Sequence, residues 1–194
     1  MPERSRILTV PNQITFLRLG FLPFFLISIS YGRYDWALAL LVAAGLTDAF
    51  DGWLARHLNQ RTTLGTFLDP IADKLLLSSS YFFLAVKGKI AWWLAILVLS
   101  RDVFILIASA VILIAVGYQT FPPSLYGKAN TLFQILLVFL VLLAAVFPGP
   151  TLYVVRGVFV YLVAAFTILS GVHYSIVVSR RISSHSASSA ATPR

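Results

Sequence analysis

Four aspartates interrupt two consecutive apolar stretches of this chain, GLTDAFDGWLARHL at residues 45–58 and LGTFLDPIADKLLL at residues 64–77. Asp48 and Asp51 are three residues apart, and Asp69 and Asp73 are four apart. On α-helices each spacing places two carboxylates on one face, about 4.5 or 6 Å apart along the helix axis. Because a short connection joins the two stretches, we expect antiparallel neighbouring helices whose four acids meet at one depth.

The composition of the whole chain is that of a membrane protein. Of 194 residues, 59% are hydrophobic and 11% are charged, whereas soluble domains have about 25% charged residues. One apolar run ends near Tyr31, and five more follow at about 35–56, 65–86, 90–117, 124–147 and 151–178. Each run has the roughly 20 residues that a helix needs to cross a bilayer. The sequence predicts an all-α integral membrane protein, a six-transmembrane-helix bundle at residues 1–181, with a disordered polar tail at 182–194.

The charge balance favours a membrane surface over nucleic acid as the partner. Lys and Arg number 15 against 7 Asp and Glu, giving a net charge of +8, yet the chain has no long basic run or base-stacking motif. Arg residues flank both ends of the predicted bundle, so we expect both termini to be cytoplasmic, although Lys87 and Lys89 compete on the opposite side. A bacterial plasma membrane is the simplest location, and a mitochondrial inner membrane is the alternative. Zero cysteines exclude disulfides and thiolate metal sites.

Four carboxylates in a low-dielectric setting repel one another and need a compensating charge. Oxygen ligands select hard ions such as Mg²⁺, Mn²⁺ or Ca²⁺, and four acids could hold two ions, as in displacement at phosphorus. Gly52 would let a bulky group approach, Arg56 could hold phosphate, and Thr62 offers a hydroxyl. These residue types favour a phosphoanhydride substrate.

A small ion- or proton-coupled transporter would also place carboxylates inside the membrane. The absence of a repeated half, and the clustering of the acids on one helix pair, weigh against that class.

The spacing Asp48-x2-Asp51-Gly52-x2-Ala55-Arg56-x8-Gly65-x3-Asp69-x3-Asp73 resembles the signature of the CDP-alcohol phosphatidyltransferases. The resemblance implies a six-helix membrane bundle, usually a homodimer, with a dinuclear Mg²⁺ site in which Mn²⁺ is an alternative. It implies that Asp48, Asp51 and Asp69 ligate metal, and that Asp73 is a further ligand and the general base. Gly52, Arg56 and Thr62 would contact the CDP-lipid. The expected reaction moves a phosphatidyl group from CDP-diacylglycerol to a glycerol-type acceptor and releases CMP.

The acceptor stays open between phosphatidylglycerol and glycerol 3-phosphate. The stretches around Arg101, Lys128 and Asn130 are more similar to the CDP-alcohol type of cardiolipin synthase, because phosphatidylglycerophosphate synthases usually have a lysine where Asn130 stands. One lysine fewer suits the single charge of phosphatidylglycerol slightly better than a dianionic phosphate. Arg101, Lys128 and Asn130 are thus the predicted acceptor site, while Arg101 and its neighbour Asp102 could equally form a structural ion pair.

Overall fold

The computed structural model describes residues 10–58, 63–116 and 125–190, with side chains at 19–47, 73–108, 125 and 127–177. Within these ranges the chain is all-helical, which confirms the predicted class. The helices are α1 Val10–Ser30, α2 Tyr34–Leu58, α3 Thr63–Val86, α4 Trp92–Val116, α5 Leu125–Val146 and α6 Pro150–Ala190. Helices α1 to α5 each coincide with one predicted apolar run, apart from a few residues at the ends, and α6 extends well past the end of its run.

Two glycines close the turns that follow α1 and α3. Gly32 and Gly88 have φ angles of 72° and 66°, a left-handed conformation that side chains with a Cβ atom rarely adopt. After each glycine the next N–H reaches back into the helix, from Arg33 to the Ser28 carbonyl at 2.8 Å and from Lys89 to the Leu84 carbonyl at 2.8 Å. This is the Schellman pattern of helix termination. Both helices therefore end abruptly and turn back at once.

The two turns lie at the same end of the bundle. The Lys89 ammonium lies 4.9 Å from the centre of the Tyr34 ring, which joins the turn after α3 to the start of α2. Asp48 and Asp73 belong to the other halves of α2 and α3. The predicted aspartate site is therefore at the opposite end of the bundle from these turns.

The apolar core lies where α1, α3, α4 and α5 face one another. Helix α1 packs on α2 and α3, α3 packs on α4 and α5, and α6 packs on α4 and α5. The largest fully buried side chains of the core come from these four helices, among them Phe25, Tyr81, Leu94 and Leu137, and Ala37 of α2 and Val163 of α6 also belong to the cluster. This packing fixes how α3, α4 and α5 are rotated about their axes, and so which of their polar side chains face each other.

The described part of the chain has apolar side chains on its outside as well as in its core. Large apolar side chains are exposed on the outside, including Trp36 at 58%, Ile96 at 59% and Tyr161 at 73%. Six polar or charged residues are buried instead: Ser80, Asp102, Asn130, Gln134, Thr167 and Ser170. Such a surface is typical of a protein whose solvent is lipid.

Two helices are long and apolar enough to cross a bilayer, at Gly127–Val146 and Pro150–Val177, among the residues that the structure describes. Shorter apolar helices occupy Leu19–Ser30 and Tyr34–Thr47. A crossing by all six helices stays a prediction.

The C-terminal helix is longer than a bilayer crossing requires. Helix α6 has 41 residues and begins at Pro150, where the missing N–H of proline costs nothing because first-turn donors have no helical partner. The helix continues through residues 182–190 of the predicted polar tail, and residues 191–194 lie outside the described ranges. The domain boundary at residue 181 stays a prediction.

Candidate active site

The predicted metal ligands lie on the helices that the sequence assigned to them. Asp48 and Asp51 belong to α2, and Asp69 and Asp73 belong to α3. Of these four, only the Asp73 side chain is within the described part of the chain, and it is exposed. The side chains of Asp48, Asp51 and Asp69, like those of Gly52 and Arg56, lie outside the described residues, as does Thr62 altogether. The meeting of the four acids therefore stays a prediction.

Asp73 lies on the wall of a cavity of about 390 Å³ that is bounded by α2, α3 and α5. Thr131 is the other residue with a polar side chain on this wall, and the remaining lining residues are apolar or glycine: Leu41, Val42, Ala44, Gly45, Leu76, Leu77, Ile135, Leu136 and Phe139. Gly45 precedes Asp48 by one helical turn, about 4.5 Å along the axis. The cavity thus extends from the Asp73 carboxylate along the same part of α2 that leads into the aspartate motif.

The neighbouring arrangement of α2 and α3 around the aspartates stays a prediction, because the side chains at 48–58 and 63–72 lie outside the described residues. Among the described residues, both helices pack on α1 and on α5, and the described contacts join no residue of α2 to α3. The cavity lies between them. The shared faces of the acids stay a prediction from their spacing, and the sequence did not indicate the cavity.

The described residues include no group of three or more His, Asp or Glu side chains that could hold a metal ion. The side chains of three of the four predicted ligands, Asp48, Asp51 and Asp69, lie outside these residues. The donor chemistry nevertheless fits Mg²⁺ or Mn²⁺, because Asp73 offers carboxylate oxygens at an accessible cavity wall and the chain has no cysteine to favour a softer metal.

Arg101 of the predicted acceptor site is held inside the helix bundle by an ion pair. Its guanidinium donates to Asp102 Oδ1 at 2.8 Å and also donates to the Ser170 hydroxyl on α6. The Lys74 ammonium, from α3, donates to the same Asp102 oxygen. The Arg101 and Asp102 ion pair considered from the sequence is therefore present, with a second cation that the sequence did not indicate.

Asn130 also contacts α6, close to Ser170. Its side-chain oxygen accepts a hydrogen bond from the Thr167 hydroxyl at 2.9 Å, and its side-chain nitrogen is buried without a hydrogen-bond partner. Thr167 and Ser170 are three residues apart on α6 and share a face. The structure thus brings Arg101 and Asn130 to one side of α6.

Lys128 is exposed and lies two residues before Asn130 on α5. Residues two apart on a helix do not face each other. The structure does not place Lys128 with the other two predicted acceptor residues.

Further buried polar atoms lie in this region. Tyr81 donates from its hydroxyl to the Gln134 carbonyl at 3.3 Å, and the Gln134 side-chain nitrogen is buried without a hydrogen-bond partner. Arg101 Nε and Asp102 Oδ2 are also buried without a hydrogen-bond partner. The sequence indicated Arg101, Asp102 and Asn130 in this region, but not Lys74, which lies 28 residues before Asp102.

Comparison with known proteins gives the family. The sequence model of the CDP-alcohol phosphatidyltransferases matches residues 8–169. The chain belongs to the CDP-alcohol phosphatidyltransferase family. That membership confirms the resemblance carried by the aspartate motif, and it favours a phosphatidyltransferase over the transporter.

Relatives within the CDP-alcohol phosphatidyltransferases have two kinds of name. A probable phosphatidylglycerophosphate synthase of Mycobacterium tuberculosis is 34% identical over 177 residues, which cover 88% of this chain and 82% of the relative. A putative cardiolipin synthase of Mycobacterium bovis is 35% identical over 129 residues, which cover 66% of this chain and 61% of the relative. The human cardiolipin synthase (CMP-forming) is 35% identical over 159 residues, 72% of this chain and 52% of the relative. The names therefore agree on the family and divide on the acceptor.

Proposed function

We propose that this chain transfers the phosphatidyl group of CDP-diacylglycerol to the hydroxyl of a glycerol-type acceptor and releases CMP. The observation that carries the proposal is the position of Asp73, a carboxylate on a mostly apolar cavity wall. An apolar cavity accommodates the hydrocarbon part of a lipid, and a carboxylate at its side can accept a proton from a hydroxyl held there. Family membership supplies the CDP-alcohol as substrate class.

The proposed reaction is a displacement at phosphorus. Asp73 takes the proton of the acceptor hydroxyl, and the acceptor oxygen forms a bond to the phosphorus that carries diacylglycerol. The bond from that phosphorus to the oxygen of the CMP phosphate breaks, and CMP leaves with both electrons of the bond. Arg56, Gly52 and Thr62 are proposed to hold the CDP-lipid so that the acceptor oxygen and the leaving oxygen are in line.

Asp48, Asp51, Asp69 and Asp73 are proposed to hold two Mg²⁺ ions, with Mn²⁺ as the alternative. When bound, such ions neutralise the diphosphate and the charge that develops on the leaving group. Support comes from the oxygen-only donor set and from the position of the motif on α2 and α3, whose described parts flank the cavity.

We further propose that all six helices cross a bilayer with both termini on the cytoplasmic side. The lengths of α1 to α5, 21 to 25 residues, match the thickness of a hydrocarbon core. The exposed apolar side chains and the buried polar ones support the same arrangement. The protein is further proposed to be a homodimer in a bacterial plasma membrane.

The acceptor is proposed to be phosphatidylglycerol or glycerol 3-phosphate. A phosphatidylglycerophosphate synthase and cardiolipin synthases are both among the relatives. Asn130, a neutral residue buried against α6, supports the lipid acceptor because it brings no charge to a phosphate. The exposed Lys128 is not in position to replace that charge.

The test is CMP release by the purified full-length protein in detergent with CDP-diacylglycerol and Mg²⁺, offering each acceptor separately. We expect CMP with at least one acceptor, a matching lipid product, and loss of both when EDTA is added. Product from one acceptor alone identifies the acceptor. No CMP with either acceptor, from protein that is folded and supplied with metal, would contradict the proposed transfer.

A further inference from the structure

Thr131 shares the cavity wall with Asp73 but has no part in the proposed proton transfer. Asp73 is on α3 and Thr131 is on α5, and the other described lining residues are apolar or glycine. The side chain of Thr131 is half-buried, and that of Asp73 is exposed. Among the described residues, these two side chains are therefore the ones that can form a hydrogen bond with a molecule in the cavity.

Asp73 and Thr131 lie at about the same level of the helix bundle. The polar contacts of the bundle run from the residue after Asp73, on α3, through α4 and α6, to the residue before Thr131, on α5. Tyr81 and Gln134, which follow them along the two helices, are also in contact, so α3 and α5 run in the same direction. Each of the two polar residues precedes the apolar lining residues of its own helix, which are Leu76 and Leu77 on α3 and Ile135, Leu136 and Phe139 on α5. The cavity therefore has one polar end.

The Thr131 hydroxyl can accept a further hydrogen bond but has no hydrogen left to donate. It donates to the Gly127 carbonyl, four residues earlier on α5, at 3.1 Å. A hydroxyl has a single hydrogen and two lone pairs, so its oxygen keeps the capacity to accept. The ligand group that pairs with Thr131 must therefore be a donor.

The polar end of the cavity matches a ligand with two hydrogen-bond donors, because an ionised Asp73 also only accepts. The acyl chains, ester groups and diphosphate of CDP-diacylglycerol have no hydrogen to donate, and the donors of that lipid are on its polar cytidine. A glycerol-type acceptor instead has two neighbouring hydroxyls, in glycerol 3-phosphate as in phosphatidylglycerol. One of these hydroxyls is the nucleophile, and the other is left to donate.

We propose that Thr131 is a specificity-determining residue, which selects an acceptor with two adjacent hydroxyls, a vicinal diol. This inference rests on the proposed transferase function and deepens it. The terminal hydroxyl donates to Asp73 and loses its proton there, while the adjacent hydroxyl donates to Thr131 Oγ1. The second contact fixes the rotation of the acceptor about its carbon–carbon bond, so that the nucleophilic oxygen is directed at the phosphorus.

The test compares each acceptor with an analogue that lacks the second hydroxyl. Glycerol 3-phosphate is paired with 3-hydroxypropyl phosphate, and phosphatidylglycerol is paired with phosphatidyl-1,3-propanediol. Both analogues keep the terminal hydroxyl and the phosphate. The measurement is kcat/KM for CMP release by the full-length protein in detergent with CDP-diacylglycerol and Mg²⁺. The pair that gives CMP identifies the source of the diol, and the ratio of kcat/KM values within that pair gives the preference for the diol.

The variants separate the Thr131 hydroxyl from the rest of the chain. Thr131→Val keeps the side-chain shape and removes the oxygen, whereas Thr131→Ser keeps the hydroxyl. Ser28→Ala is the matched control, because Ser28 donates in the same way to the carbonyl of Phe24, four residues earlier on α1, at 2.8 Å and does not line the cavity. Thr131→Ala takes the place of Thr131→Val if that variant does not fold.

We expect the unaltered protein, Thr131→Ser and Ser28→Ala to prefer the diol by about five- to tenfold, which is the usual effect of one hydrogen bond. Thr131→Val should reduce the preference to within twofold, by losing activity with the diol and keeping it with the analogue. Equal use of diol and analogue by the unaltered protein, or a folded Thr131→Val that keeps the preference, would overturn the inference and leave the proposed transfer intact. The same loss of preference in Ser28→Ala would also overturn the inference. No CMP with any acceptor would overturn the transfer and the inference together.

Discussion

Filling the cavity beside Asp73 should weaken catalysis in proportion to the hydrocarbon that is displaced. Gly45 lies on the cavity wall, and no atom lies within 4 Å of the position that a Cβ atom would occupy there. In Gly45→Leu the new side chain therefore enters open space, and leucine is also the better helix former by roughly 1 kcal/mol. The variant should fold and should lose space for the substrate.

The size of the effect follows from the size of the side chain. A leucine side chain occupies the space of about four carbon atoms of a lipid chain. The chain lies in a detergent micelle before it binds, so the loss comes from packing and not from transfer out of water. Overpacking of this kind costs about 1 to 3 kcal/mol, or roughly a 5- to 150-fold fall in kcat/KM. A substrate with short acyl chains should lose less, because fewer methylene groups compete for the space.

The assay is CMP release with long-chain and short-chain CDP-diacylglycerol over a range of Mg²⁺ concentrations. Gly157→Leu is the matched control, since Gly157 is a helical glycine of α6 with open space around it and does not line the cavity. The Mg²⁺ concentration that gives half-maximal activity should be the same in both variants and in the unaltered protein. A folded Gly45→Leu protein with unchanged kcat/KM for the long-chain substrate, or an equal loss in Gly157→Leu, would refute the assignment of the cavity to lipid.

Three further outcomes are expected. Asp73→Asn, which keeps the side-chain shape and removes the base, should lower kcat at least 100-fold with little change in thermal stability, and CMP release at wild-type rates would exclude Asp73 as the base. Gly88→Ala should lower the free energy of unfolding by about 1 kcal/mol, because Gly88 has a φ of 66°, whereas Gly157→Ala should not lower it. Unfolding in mixed micelles measures both variants. Equal stabilities of the two variants would contradict the strain argument. Leu94→Ala should lower the free energy of unfolding by about 2 to 5 kcal/mol, because it leaves a cavity in the core. Ile96→Ala, at a position 59% exposed, should lower it far less. Equal losses in the same unfolding experiment would mean that the core lies elsewhere.

Much of the fold could be predicted because the relevant signals are local. Apolar runs of bilayer length gave the positions of α1 to α6, and Gly88 and Pro150 mark a helix end and a helix start whose conformations depend on the residue itself. The extension of α6 to Ala190 could not be read from the sequence. The mostly small and polar residues at 183–190 form no apolar face that would indicate a helix.

The sequence predicts only those features of the site that depend on a single helix. The spacing of Asp69 and Asp73 requires a common face whatever the rest of the chain does. The contacts of Asp102 depend instead on how three helices are rotated against one another, since Lys74 lies 28 residues before it, and Arg101 reaches a serine 69 positions away. The same reason explains the cavity between α2 and α3, because their separation is set by packing on α1 and α5.

Short turns join consecutive helices into pairs, α1 with α2, α3 with α4, and α5 with α6. The residues between the helices of a pair are few, at 31–33, 87–91 and 147–149, and backbone hydrogen bonds hold each turn to its helix. The cavity draws its walls from one helix of each pair, so its width depends on how the three pairs pack against one another. In the proposed bilayer that spacing is opposed by the lateral pressure of the surrounding lipid. The turnover of this protein should therefore depend on the mechanical state of its membrane, as well as on the concentration of its substrates.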